Sequence, residues 1–343
     1  MKALIITLFS LFLVGCQSNS EAKTLDELFT KKVNGKVAKL SIPSDDLPNI
    51  SGKLLIFGKH LIVKQLNQSK VLSVFDLEKE AKAYDLFNSG RGHKELTYVS
   101  SVDIDNNGLI LGQGNRFIVI DSLYKKCDKG EWKIINPESL DHVNRITKLN
   151  NEFYVITGSC GGSKKQFSLL DKDLNIVQHF DDYPIKDTDN YTSVDLAMAI
   201  QGRLSSCENA FVFASSYGYI LKFFKLEDSK VAKQKEYVFK VPKFKVIDNG
   251  IVQAVAQDSN NPVGAITATS SKDTYFLLYG IGAIKDKQSG GNIIYCFNHK
   301  GEPKQKIVFD ANLKQIAYSE EYNCLFGLGE DEDGEMYICK ITF

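Results

Sequence analysis

The chain has 343 residues, 43% of them apolar, and its 42 basic residues equal its 42 acidic ones, so the formal charge at pH 7 is zero. Such balance offers nothing to nucleic acid, which calls for a basic patch or stripe. Seven cysteines are scattered along the chain, with neither the density of a disulfide scaffold nor the CxxC spacing of a zinc site.

The amino terminus reads as an export signal. Lys2 supplies a positive start, Ala3 to Val14 form a 12-residue apolar run, and Gly15 and Cys16 follow. A membrane-spanning helix needs about 20 apolar residues, so the run reads as a removable leader. The segment Leu13-Val14-Gly15-Cys16 resembles the lipobox of bacterial lipoproteins. That resemblance implies cleavage before Cys16, diacylglycerol on its thiol and an acyl group on the new amine; several acyl chains anchor firmly where one holds only marginally. Gln17 stands where an Asp would resemble an inner-membrane retention signal, so the expected location is the outer membrane, on its periplasmic or surface face. The expected organisation is a signal peptide over 1–15, a lipidated tether with a short helix over 16–32, and a folded body over 33–343. The helix spans Thr24 to Lys32, with Thr24 as N-cap and Glu27 as its capping-box partner.

Beyond that point helical periodicity disappears. Short β-rich runs succeed one another, from Lys53 to Leu66 through to Glu335 to Thr342, punctuated by Asn-Gly, Asp-Gly, Gly-Gly and Asn-Asn turns. They group into six units starting near residues 53, 101, 143, 198, 254 and 313, a spacing of propeller blades. The last unit holds only three strands, and Val37 to Ile42 can supply the fourth. Such closure pairs the two chain ends and leaves no open sheet edge. The fold class is therefore all-β, a six-bladed β-propeller with a short N-terminal helix and closure by terminal strands; an irregular pair of β-sandwiches is the competitor.

Three features carry a family resemblance: the lipobox at 13–16, Phe87-Asn88-Ser89-Gly90-Arg91-Gly92 followed by His93-Lys94-Glu95-Leu96, and the final unit from Tyr295 to Phe343. Together they resemble the TolB-like six-bladed propeller lipoproteins of Bacteroides-type bacteria. That family tends to read G-x-G-P-G-E-F at the second feature; here His93 and Lys94 replace Pro-Gly, and Leu96 replaces Phe. The resemblance implies fold and location, and little about activity.

No catalytic motif is present: no GxSxG elbow, HExxH or Walker loop. Cys160, in Ser159-Cys160-Gly161-Gly162-Ser163, has no base near it in sequence and reads as a turn residue. His60, His93, His142, His179 and His299 are isolated, and the acidic run Glu330 to Glu335 reads as a hairpin turn rather than a calcium loop. Cys296, Cys324 and Cys339 sit in apolar runs and read as reduced core residues. Tyr183, Tyr191, Tyr217, Tyr219 and Trp132 lie near turns, where core packing competes with a glycan or peptide surface. Arginine is scarce, so Arg91, Arg116, Arg145 and Arg203 stand out; a forked guanidinium suits carboxylate or phosphate.

The expected function is a non-enzymatic binding or scaffold module, anchored to the outer membrane, for a peptide, protein or glycan. It needs no cofactor or metal beyond the lipid on Cys16, and no nucleic acid. The alternative is a metal-dependent hydrolase or lactonase with an ion on the propeller axis, which requires Asp, Glu, Asn or His side chains converging from three or more blades.

Overall fold

A computed structural model describes residues 24–48, 51–66, 69–92, 94–105, 108–120, 132–137, 140–248, 250, 253–287 and 290–343. The expected signal peptide, Cys16, His93 and Cys127 lie outside the described residues.

Six antiparallel blades surround one axis, the fifth and sixth joined in one continuous sheet. Blade 1 consists of Ser51–Phe57, His60–Gln65, Lys70–Asp76 and Ala81–Ser89. Blade 2 consists of Ser101–Asp105, Gly108–Gln113, Arg116–Ile120 and Trp132–Ile135. Blade 3 runs Leu140–Lys148, Phe153–Cys160, Lys165–Asp171 and Ile176–Asp182, and blade 4 runs Gly202–Cys207, Ala210–Ser215, Tyr219–Glu227 and Lys230–Lys240. Blade 5 begins with Ala265–Ser270, Tyr275–Tyr279 and Gly291–Phe297. Its fourth strand is the first part of Pro303–Ser319, a 17-residue strand whose second part opens blade 6. Cys324–Glu330, Met336–Thr342 and Lys36–Lys39 complete blade 6.

The ring closes as the sequence predicts. Lys36–Lys39 pairs antiparallel with Met336–Thr342, joining the two ends of the described chain in one sheet. Lys32–Asn34 adds a parallel edge strand to Pro303–Ser319. The innermost strands of blades 1 to 6 neighbour one another in order, and the sixth returns to the first.

Packing explains the number of blades. The two middle strands of each blade bury residues on both faces, so alternate side chains serve two different interfaces. In Ala210–Ser215, Phe211 and Phe213 point to blade 3 while Val212 and Ala214 point to blade 5. Six apolar clusters result, one at each of the six junctions between neighbouring blades. At the junction of blades 3 and 4, Phe167 stacks on Phe180 and Phe211 on Phe224, with centroids 5.3 and 4.7 Å apart. Burial of each ring contributes roughly 2 kcal/mol. Beside this apolar wall lies a buried ion pair: Lys222 of blade 4, wholly inaccessible, places Nζ 2.5 Å from Asp181 and 2.7 Å from both the Gln166 side chain and the Asp182 carbonyl of blade 3.

Three sequence expectations need correction. The helix expected over Thr24 to Lys32 is a single 3₁₀ turn, Asp26–Leu28, although Glu27 N–H does donate to Thr24 Oγ1 at 3.4 Å. Leu25 and Phe29 are drawn into the cluster between blades 4 and 5, and Lys32 already belongs to an edge strand, so a longer helix cannot form. A seven-residue helix, Ser193–Ala199, precedes blade 4 instead, closed by a capping box between Thr192 and Asp195. The unit expected to start at Ala254 starts at Ala265, because Phe244–Asp248 and Gln253–Gln257 pair as a separate hairpin.

Candidate functional site

The innermost strands line a channel along the axis. Four of the six carry a β-bulge near their start, at Gly52, Asn144, Ile266 and Lys314, where register against the next strand slips by one. A bulge re-aims the side chains that follow it. The residue after each one, respectively Lys53, Arg145, Thr267 and Gln315, lines the same small cavity. Blades 2 and 4 contribute Ser101 and Arg203 at this level.

A further side chain reaches this layer from outside the inner ring. Lys64 lies on the second strand of blade 1, paired with Lys53 across the bulge, and its side chain passes the vacant side of Gly52. The cavity, about 30 Å³, thus gathers Lys53, Lys64, Arg145 and Arg203. One of these charges is balanced: Lys53 donates to the Val102 carbonyl at 2.8 Å and meets Asp103 at 3.4 Å. Lys64 donates to the Val99 carbonyl, and Arg145 Nη1 to the carbonyls of Ser100 and Asn144 at 3.1 and 2.6 Å. Arg203 Nε is buried with no acceptor among the described residues.

The electrostatic consequence is direct. Desolvation, followed by the neighbouring Arg145, Arg203 and Lys53 charges, lowers the Lys64 amine to about 7. Desolvation and Arg145 pull Arg203 down from its ordinary value, and desolvation does the same to Arg145; both guanidiniums remain charged at neutral pH. Carbonyl dipoles solvate the cluster, but among the described residues no carboxylate lines the cavity itself.

Farther along the axis the channel opens into a cavity of about 150 Å³ that shares Lys53, Leu204 and Ala268 with the first. Its lining turns to hydroxyls, among them Thr147, Ser205, Ser206, Thr269 and Ser270. Thr147 meets Ser206 at 2.8 Å and Ser205 donates to Ser270 at 3.1 Å, which ties blades 3, 4 and 5 together. At the cationic level, Asn144 Nδ2 donates to Ala197 O and Gln257 Nε2 to Ala199 O, so the extra helix and the extra hairpin are fastened beside this mouth.

Of the four arginines singled out in the sequence, the fold brings together Arg145 and Arg203. Arg91 is exposed on the loop after blade 1 and does not line the channel. Arg116 is used locally, with Nε and Nη2 donating to Gln113 Oε1 at 2.9 and 2.5 Å across a hairpin. Sequence reasoning missed Lys53 and Lys64. Residues 53, 101, 145, 203, 267 and 315 share one level of successive inner strands, but the bulges set that alignment and the sequence units starting near 53, 101, 143, 198, 254 and 313 do not show it. No sequence pattern points to Lys64.

The remaining candidates take structural places. Cys160 is buried at the end of its strand, before a Gly161-Gly162 turn with both φ angles positive, and burial pushes its thiol up to about 11. Cys160, Cys207, Cys296, Cys324 and Cys339 are free thiols. Asp331 to Gly334 form a turn between two strands of blade 6. Tyr183 is buried, Tyr191 packs on Phe244 and Trp132 on Phe87. Among the described residues no three His, Cys, Asp or Glu side chains converge, and no helix is long and apolar enough to cross a membrane. A seat of uncompensated cations repels a metal ion, so the donor set does not fit the axial metal that the hydrolase alternative requires.

Comparison with known proteins agrees with this architecture. The model of a family described as TolB-like 6-blade propeller-like matches residues 29–321. The chain belongs to the TolB-like six-blade propeller family. No curated protein matches it. Among solved structures, a U3-55K structure is similar over 85% of this chain and 80% of its own, with 11% identity and a TM-score of 0.49. The Pan2 WD40 domain of Neurospora crassa is similar over 89% and 95%, with 11% identity and a TM-score of 0.48. Hydrazine synthase of Kuenenia stuttgartiensis is similar over 84% and 83%, with 8% identity and a TM-score of 0.47. In this TolB-like propeller the axis is cationic.

Proposed function

We propose that this protein is a non-enzymatic binding module, held at the outer membrane by lipid on Cys16, that captures a peptide, protein or glycan through an anionic group seated on the propeller axis. The observation that carries the reading is the convergence of Arg145, Arg203 and Lys64 in one cavity that no carboxylate lines among the described residues. Burying such charges is costly unless an opposite charge joins them, so the arrangement is built for a ligand rather than for the fold. Loops around the mouth supply the wider docking surface, as is usual where a rigid scaffold presents them.

The test is capture from detergent-solubilised membranes. Wild-type protein is expected to retain a reproducible partner that an Arg145→Gln, Arg203→Gln double variant releases. Equal retention by both, with the variant folded, would overturn the axial reading. The anchor is tested separately: Cys16→Ala is expected to move the protein from the membrane fraction to the soluble one.

A further inference from the structure

We infer that the axial seat takes a dianionic oxyanion of the phosphate class, gripped by Arg145 and Arg203 and completed by Lys64. This rests on the anionic-ligand reading above and narrows it. The charge count is the first argument. Asp103 answers Lys53, which leaves two guanidiniums and one amine facing the cavity with carbonyl oxygens as their only described acceptors. A carboxylate would balance one of the two guanidiniums; a dianion balances both.

Donor geometry is the second. Guanidinium forks match the oxygen pairs along the edges of a tetrahedral oxyanion. Arg203 Nε lacks an acceptor among the described residues, and Arg145 spends Nη1 on two carbonyls. Room is the third. The seat of about 30 Å³ holds little more than two water-sized groups, which admits one oxygen edge of a compact anion. Its continuation into the cavity of about 150 Å³ leaves one direction open for an ester substituent. The same anion chemistry can come from free phosphate or from a phosphate monoester.

Protonation follows from the same geometry. The groups that act on Lys64 are Arg145 and Arg203 from blades 3 and 4, Lys53 from its own blade, and the Val99 carbonyl that accepts from it. The three cations favour a neutral amine; a bound dianion favours the ammonium. Anion binding near neutral pH is therefore accompanied by proton uptake.

The experiment is titration calorimetry on the full-length lipidated protein in detergent, in a low-salt buffer, with sodium sulfate, inorganic phosphate, glycerol phosphate and acetate as probes. Sulfate and phosphate are expected to bind at least about tenfold more tightly than acetate, and Arg203→Gln to weaken sulfate by at least about tenfold. Sulfate does not titrate in this range, so its binding heat in buffers of different ionisation enthalpy reads proton uptake, which Lys64→Met abolishes. Should Arg203→Gln fail to fold, Arg203→Lys keeps the charge, removes the fork and carries the same expectation. Tighter glycerol phosphate assigns an organic phosphate, and tighter inorganic phosphate assigns the free ion; either ordering upholds the class. Acetate binding as tightly as sulfate overturns the dianion class and leaves the anionic-ligand reading standing. Absence of binding by every probe at millimolar concentration overturns both.

Discussion

The Cβ that Gly52 lacks would lie 3.0 Å from Cδ of Lys64. The inner strand of blade 1 therefore leaves a passage, and an amine from the strand behind it uses that passage to reach the axis. Gly52→Val fills the space and turns Lys64 aside. Affinity for sulfate is expected to fall several-fold, with the melting temperature showing that the blade survives; unchanged affinity in a folded variant would refute the role of Gly52.

Arg203 and Arg145 are expected to burden the ligand-free fold. Replacing an uncompensated charge with an apolar side chain of similar length removes a desolvation cost, so Arg203→Met should stabilise the protein by about 1 kcal/mol. Sulfate should no longer raise its melting temperature. Loss of stability without ligand would mean that carbonyl contacts already satisfy the guanidinium.

Lys64 imposes a pH dependence of determinate sign. Its amine titrates near 7 in the fold and near the ordinary lysine value, about 10.5, when unfolded. Between those values the unfolded chain binds the extra proton, so stability rises with pH across the window; below it this contribution is flat. Urea midpoints in anion-poor buffer should climb from neutral to alkaline pH more steeply for wild type than for Lys64→Met. Parallel profiles would show that Lys64 keeps an ordinary amine.

Lys222 should behave in the opposite way to the axial cations, because its carboxylate is already present. Lys222→Met removes one of the two cations on Asp181, which is itself nearly buried and keeps Lys233 at 2.7 Å. With Lys233 still in place the cost should fall below the about 3–5 kcal/mol of a fully uncompensated buried charge, measurable as a fall in the urea midpoint. Asp181→Asn should be damaging as well, and the double variant less so than the sum.

Thiol chemistry should follow access. Cys207 is half-buried, whereas Cys160, Cys296, Cys324 and Cys339 are buried. Peptide-resolved alkylation of the native protein should mark Cys207 first among these five, and the other four only on unfolding. Early labelling of Cys339, whose thiol burial raises to about 12, would contradict the packing of blade 6.

Much of the ring was legible because period-two apolar runs and turn dipeptides are local signals. The units expected near 53, 101, 143 and 313 match inner strands starting at Ser51, Ser101 and Leu140 and the second part of Pro303–Ser319. The fourth and fifth slipped where the chain inserts the Ser193–Ala199 helix and the Phe244–Gln257 hairpin, elements outside the repeat. The axial cluster was half legible. Arg145 and Arg203 stood out by scarcity, but Lys64 is one lysine among many, and what selects it is a bulge and a missing side chain on a different strand. Bulges leave no mark in hydrophobic periodicity, so the layer they build appears only in three dimensions.

Pro303–Ser319 leaves one blade and enters the next without a turn. That seam has no joint. Any widening of the axis to admit a bulky guest must be taken up at the other five junctions, where loops can yield, so blades 5 and 6 travel as a single plate.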